Sequence, residues 1–548
     1  MKTFIINICL FIFLVLSGCG GKTVIQKPAE VPEKTSSPAI SFGDTLVDTY
    51  IADIITLNPL ISNEGVSANY YGLLYSGLVR YDENYQLIPD LAETWEISTD
   101  GLTITFPLRR KVLWHDGVLF TSMDVKFTFD KIMDPATGCP DRDYYTSFST
   151  LETPDDYTVR FRLKEPFAPA LEYCGFYVIP WHIYSKENIK TSKYNTNPIG
   201  TGPFKFNQWL PDEQIILEAN LNFYEGRPYI NRYICKVIPD KSMAFLAVKR
   251  GEIDCYSLTL DQYVKQADQD FRSKNNIYRT SSFYFYMPYN LKKPFLSEKP
   301  VRRALTLAID RDALIRDVLQ GYGRPITGPY APGSWPSSDN ARPLPYDTVE
   351  ACALLKAAGF SDTDRDGYLE RDGKKLEIEI TKFGKDAEAM LLPTLIQDYW
   401  KKIGVKAVLN GTDWNVLMDK VNSGNYDAVI FGRELGGWDP DGEYGFWHSS
   451  QFPDTAEQKN GYNYARFSNS ELDRLLEQGR RTYDHGERKK IYNRIHEIIN
   501  EDQPCTFLYI ADSLFAVNKR FCGISVSPAG ELTPIRRWFV QEGMQEYQ

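Results

Sequence analysis

The stretch from Leu91 to Asp130, LAETWEISTDGLTITFPLRRKVLWHDGVLFTSMDVKFTFD, narrows the fold more than any other part of the chain, because strand period, turn chemistry and helix capping agree within it. Leu102, Ile104, Phe106 and Leu108 alternate with Thr103, Thr105 and Arg109, which is the period of a half-buried strand. Asp100-Gly101 forms a tight-turn pair and predicts a hairpin back to Trp95-Glu96-Ile97. After Trp114 a second pair, Asp116-Gly117, turns the chain again. Thr121-Ser122 followed by Asp124 then caps a helix expected to bury Val125, Phe127, Phe129 and Ile132.

The order of these signals, a Trp before a strand, a DG turn, a second strand ending in LR, then V-x-W-H-D-G and F-T-x-x-D-V-x-F, resembles family 5 of the bacterial solute-binding proteins, the dipeptide and oligopeptide receptors of ABC importers. Further landmarks follow in the family's order. They are NPIGTGPF at residues 197–204, NFYEG at 222–226, RGEID at 250–254, VRRAL with AIDR from 301 to 311, and WDPD at 438–441. The resemblance runs from about residue 57 to the carboxyl end.

The first residues carry an export signal of their own. Met1-Lys2 is a short basic start, Phe4 to Val15 is an apolar run of secretory length, and Ser17-Gly18 are small residues before a cleavage point. The run is too short to span a bilayer. Leu16-Ser17-Gly18-Cys19 resembles the lipoprotein signal of bacteria, which predicts a leader at 1–18, lipidation of Cys19 and a surface-anchored product facing the periplasm or cell exterior. From Cys19 to residue 43 the chain is rich in Pro, Ser, Lys and Glu and reads as a flexible tether.

With 43% hydrophobic and 14% aromatic residues, the remainder can fill substantial cores and is not disordered. The formal charge of −10, which becomes −11 if Lys2 leaves with the leader, argues against nucleic acid as a partner. Seven cysteines remain beyond Cys9 and Cys19, and Cys235 with Cys255 or Cys505 with Cys522 are candidate disulfide partners, since each pair flanks predicted neighbouring strands.

Helical periodicity is clearest at 299–320, 347–358, 387–403, 415–423 and 470–501, and strand patterns at 376–380, 405–410 and 426–431. This alternation predicts an α/β fold with a mixed or parallel sheet and binding loops at the carboxyl ends of its strands. The resemblance implies a periplasmic-binding-protein-like (type II) two-lobe fold with an additional inserted domain. Its first lobe would comprise 44–67, 198–285 and 504–548, its inserted domain 68–197 and its second lobe 286–503. A monomer is expected, its lobes closing over the ligand.

The main candidate site is the segment from Ala428 to Tyr444, where a buried apolar strand ends in Gly432-Arg433-Glu434 and a glycine pair. In peptide-binding relatives this loop offers main-chain hydrogen bonds to an extended ligand, and a carboxylate three residues before the acidic-Pro pair holds the ligand's amino group. Here that position is Gly436, so Glu434 would supply a substitute charge, or the ligand lacks an amino terminus there. Otherwise Arg433 and Glu434 pair with each other at the surface, and Trp438 and Asp439 serve packing and a turn as readily as binding. The resemblance adds Ser62, Asn63 and Glu64 on a first crossover loop, and Lys382 and Lys385 for a ligand carboxylate.

Other chemistries lack their residues. Asp362-Thr363-Asp364-Arg365-Asp366-Gly367 begins like a calcium loop, but Gly373 stands at the twelfth position where a bidentate glutamate is required, so a hairpin is the expectation and no metal is assigned. No serine-hydrolase elbow, phosphate loop or paired-histidine metal motif occurs, and no catalytic residue or cofactor is expected. The expected function is capture of di- or oligopeptides for ABC permease subunits. The alternatives are a same-fold receptor for a metal chelate, oligosaccharide or opine-like compound, and a secreted hydrolase.

Overall fold

The computed structural model describes residues 40–83, 86–435, 439–453, 461–527, 530 and 532–546, the side chains of 281 and 282 excepted. The leader, Cys19 and most of the tether lie outside the described residues, as do Gly436 and Trp438. No helix among the described residues is long and apolar enough to cross a membrane.

The opening hairpin forms as its residues dictate. Ile97 pairs with Ile104 across a turn in which Gly101 takes φ +69°, a conformation glycine adopts without a Cβ clash. The helix Ser122–Met133 begins where Thr121 donates its backbone N–H to the Asp124 carboxylate at 2.9 Å. It buries Val125, Phe129 and Ile132. Phe127 remains only half-buried; the inner face is taken instead by Thr128, whose hydroxyl returns to the Asp124 carbonyl at 2.7 Å. Phe129 meets Phe161 edge-on at 5.5 Å, which joins the helix to a four-stranded antiparallel sheet built from residues 96–163.

A second four-stranded sheet combines Thr45–Tyr50, Arg232–Val237, Gln214–Ala219 and Phe204–Leu210, the first two in parallel. One apolar cluster runs through both sheets, containing Leu46, Phe106, Phe161, Leu217 and Trp538. The third sheet is larger and mixed. Two 14-residue strands, Asn275–Pro288 and Cys505–Asn518, run antiparallel through its centre. Ala428–Glu434 lies antiparallel to the first of these and parallel to Glu377–Phe383, which in turn pairs in parallel with Lys406–Thr412. Along the strand Ala428–Glu434, Ala428 and Ile430 enter one core with Trp400, whereas Val429 and Phe431 enter another with Tyr492. This is the two-faced burial expected of a parallel strand covered by helices on both sides.

Two long helical patterns are broken in the structure. Residues 299–320 form Lys299–Leu307 and Arg311–Val318, and residues 470–501 form Ser470–Arg481 and His485–Asp502. Each break is followed by an aspartate cap. Asp310 accepts from the Ala313 N–H at 2.9 Å and Asp484 from the Glu487 N–H at 2.8 Å, so a new helix start overrides a continuous apolar period.

Neither candidate disulfide forms, and all seven described cysteines are free thiols. Cys505 starts the long strand and Cys522 lies past its end. At about 3.3 Å per residue they are far beyond the reach of a disulfide. Cys255 instead hydrogen-bonds through its thiol to the buried Asp48 carboxylate.

His496, 1% exposed, accepts the Ser338 N–H on Nδ1 at 3.0 Å and contacts the Thr327 hydroxyl through Nε2 at 3.1 Å. Burial outweighs neighbouring Glu497 and pushes the imidazole down to about 4. An unfolded histidine titrates near 6.5, so as pH falls from there to about 4 the unfolded chain takes up the proton first and stability is lost. The loss is on the order of 3 kcal/mol. Urea midpoints at pH 7.5 and 4.5 should therefore differ less for His496→Gln than for the natural chain.

Candidate functional site

A cleft of about 930 Å³ opens between the segment ending in Glu434 and the walls contributed by Tyr81, Asp141 and Tyr173. A second cavity of about 920 Å³ shares Gly72, Leu73, Pro534 and Ile535 with it. The two cavities adjoin at these residues, and each alone lies near the upper end of the range for small-ligand sites, about 300–1,000 Å³.

The strand Ala428–Glu434 presents a partly unoccupied edge to this region. Its pairing with Glu377–Phe383 covers Ala428, Val429 and Ile430, while its pairing with Asn275–Pro288 continues from Phe431 to Glu434. From Phe431 onward one side of the strand has no strand partner among the described residues. Gly432 and Glu434 are exposed there.

Charges on the walls are mostly committed to one another. Arg433 pairs not with Glu434 but with Glu443 at 2.7 Å, and its guanidinium lies 3.6 Å from the centre of the Phe446 ring. The Glu443 carboxylate holds the Arg433 charge well above its usual range despite burial. Asp439 receives a bidentate pair from Arg488 at 2.5 and 2.8 Å, and its Oδ1 accepts the Asp441 N–H at 2.9 Å. Arg480 contacts Asp441 at 2.8 Å; burial raises that carboxyl to about 6. Arg80 is shared between Asp90 and Glu225. Among the described residues, Glu434 and Asp141 have no cationic partner within ion-pair distance.

Glu172, on the short helix Ala170–Tyr173, is a site residue that the sequence did not single out. Its Oε2 accepts the Asp439 N–H at 3.0 Å. Burial, with the Asp439 charge beside it, raises the carboxyl above the usual carboxylate range. Its neighbours in sequence, PFAPALEY, give no local sign of this role, since the contact spans 267 residues.

Of the predicted residues, Arg433, Glu434 and Asp439 line the cleft, and Gly432 precedes them on the strand Ala428–Glu434. Ser62, Asn63, Glu64, Lys382 and Lys385 do not line either cavity. Glu64 uses its carboxylate to cap Gly65–Leu74, accepting from the Val66 and Ser67 N–H groups at 2.7 and 2.9 Å. Ser62 accepts the Glu64 N–H through its hydroxyl. Asn63 reaches the cleft only indirectly, donating to Asp141 at 3.5 Å. Lys385 pairs with Asp413 at 2.7 Å, and Lys382 is half-buried with its Nζ near the Phe383 carbonyl.

Residues 86–454 match the family model described as bacterial extracellular solute-binding proteins, family 5 middle. The chain is 30% identical over 547 residues to the oligopeptide-binding protein AppA of Bacillus subtilis (strain 168), covering 98% of each. The solved structure of AppA in complex with a nonapeptide superposes with TM-score 0.70 at 30% identity, over 92% of this chain and all of that one. NikZ from Campylobacter jejuni, in complex with Ni(L-His), superposes with TM-score 0.72 at 31% identity, over 90% of this chain and 99% of that one. The architecture is accordingly the α/β two-lobe fold. A family match over most of the chain and full-length similarity to a relative lead to one assignment: the chain belongs to family 5 of the bacterial extracellular solute-binding proteins.

Proposed function

We propose that this chain is the peptide-capturing receptor of an ABC importer, and that it holds an extended peptide along the open edge of the strand Ala428–Glu434. The single observation that carries the reading is this edge, which from Phe431 to Glu434 has no strand partner on one side among the described residues and lies beside the cleft. An extended peptide added there has its main-chain groups satisfied as in a sheet, and side chains are accommodated by the flanking cavities. Glu434 and Asp141 supply the negative charge for the ligand's amino group that Gly436 lacks. Binding and release leave the ligand intact, and lipidated Cys19 holds the receptor at the membrane.

The insertion of 68–197 into the first lobe is supported by the four-stranded sheet that residues 96–163 build apart from the one formed by 45–50 and 204–237, whereas the strands of 286–503 share the mixed sheet with 275–288 and 505–518. The long strands Asn275–Pro288 and Cys505–Asn518 link the two halves and are the proposed hinge. A ligand drives closure only to the extent that it binds the closed form more tightly.

A second reading, a metal-chelate receptor, is favoured by Gly436 and by the likeness to NikZ with its bound Ni(L-His). A thermal-shift panel of di-, tri- and longer peptides, oligosaccharides and nickel–histidine separates the two. Peptides at a hundredfold excess over Kd should stabilise the purified chain by about 2.7 kcal/mol, and Glu434→Ala should reduce that shift. A response to nickel–histidine without one to any peptide would overturn the peptide reading.

A further inference from the structure

We infer that the loop Asp362–Glu370 is a calcium site, in which Asp362, Asp364 and Glu370 ligate the ion. One oxygen from each of these three carboxylates lies within 4.8 Å of the other two. Calcium binds oxygen at about 2.3–2.6 Å, so a single ion can bridge oxygens as far apart as roughly 4.6–5.2 Å. The independent observation is Glu370. It is 8% exposed, and its Oε2 atom is sealed from solvent without any hydrogen-bond partner. A buried carboxylate oxygen left unpaired is costly, and a missing ion is one of the few explanations for it.

The other oxygen of Glu370 fixes the side chain in place. Oε1 accepts the Thr363 N–H at 2.7 Å and the Asp364 N–H at 3.3 Å, and the Thr363 hydroxyl also donates to it. The strand pair Glu370–Arg371 and Lys374–Lys375, turned at Asp372-Gly373, begins at this glutamate. Gly373 stands at the twelfth position, where a calcium loop has its glutamate. In the folded chain the ninth residue, Glu370, is drawn back to the loop by its backbone bridge to Ser361. Asp364 and Asp366 are bridged by the half-buried Lys375, the counter-charge that calcium would displace from Asp364.

The loop joins the helix Thr348–Ala357 to the strand Glu377–Phe383. None of its residues lines either cavity, so the inference stands apart from the peptide reading. The test uses the full chain after EGTA treatment. Terbium, sensitised by Tyr368 in the loop, should show saturable luminescence, displaced by calcium with a midpoint of roughly 10⁻⁴–10⁻³ M, and calcium should raise the melting temperature where equal magnesium does not. Glu370→Gln and Asp362→Asn should each weaken binding at least tenfold. Asp362 is exposed, and asparagine can keep the hydrogen bond from the Gly367 N–H, so this variant remains folded. Absence of saturable luminescence, equal stabilisation by magnesium, or undiminished binding in a folded Asp362→Asn would each overturn the inference.

Discussion

Arg488→Met should cost about 3–5 kcal/mol of folding stability and weaken ligand binding as well. Arg488 is buried and places two guanidinium nitrogens on Asp439, while its Nε donates to the Gly479 carbonyl at 3.0 Å. Methionine fills much of the volume but leaves Asp439 without its counter-charge, next to Glu172 and Asp441. The loss comes from the stranded carboxylate more than from the missing attraction. A double variant, Arg488→Met with Asp439→Asn, should therefore recover part of it. Urea denaturation of the three variants forms the cycle, and strictly additive losses would refute the account.

Arg520→Met should destabilise by a similar amount, about 3–5 kcal/mol, without altering peptide affinity in the fraction that remains folded. Arg520 is 3% exposed and holds together distant parts of the chain. It donates to Asp44 at 2.6 Å, to Asp254 at 2.7 and 3.0 Å, and to the Thr45 carbonyl at 2.8 Å. Asp254 also receives the Val47 N–H at 2.9 Å, so the same cluster fixes the register of the first strand. Calorimetry with peptide titration distinguishes the two arginines. A loss below about 1 kcal/mol would place Arg520 among ordinary surface ion pairs.

Local rules revealed much of this molecule. Asp100-Gly101, the alternation ending at Leu108 and the cap before Val125 each rest on neighbours in sequence, and each appears where expected. The strand leading to Gly432 was legible for the same reason, as an apolar run ended by small and charged residues. What escaped depends on partners far along the chain. Asp254 stood out as part of RGEID, but Arg520 lies 266 residues later. Arg433 was matched with its neighbour Glu434, yet a strand points successive side chains to opposite faces, and its partner Glu443 arrives from the next helix. Glu370 was missed because it stands at the ninth position of the loop, not the twelfth, and reaches it through its bridge to Ser361.

The central strand pair also sets a timetable for biosynthesis. Asn275–Pro288 leaves the ribosome long before Cys505–Asn518, the segment that must lie against it over its full length. At about 5–20 residues per second, the interval is on the order of 10–40 s. Throughout it a nascent chain presents an aromatic-rich strand with an unclaimed edge, an aggregation hazard until the last strand arrives. A polypeptide halted before Cys505 would lack the strand that joins the two halves of its largest sheet.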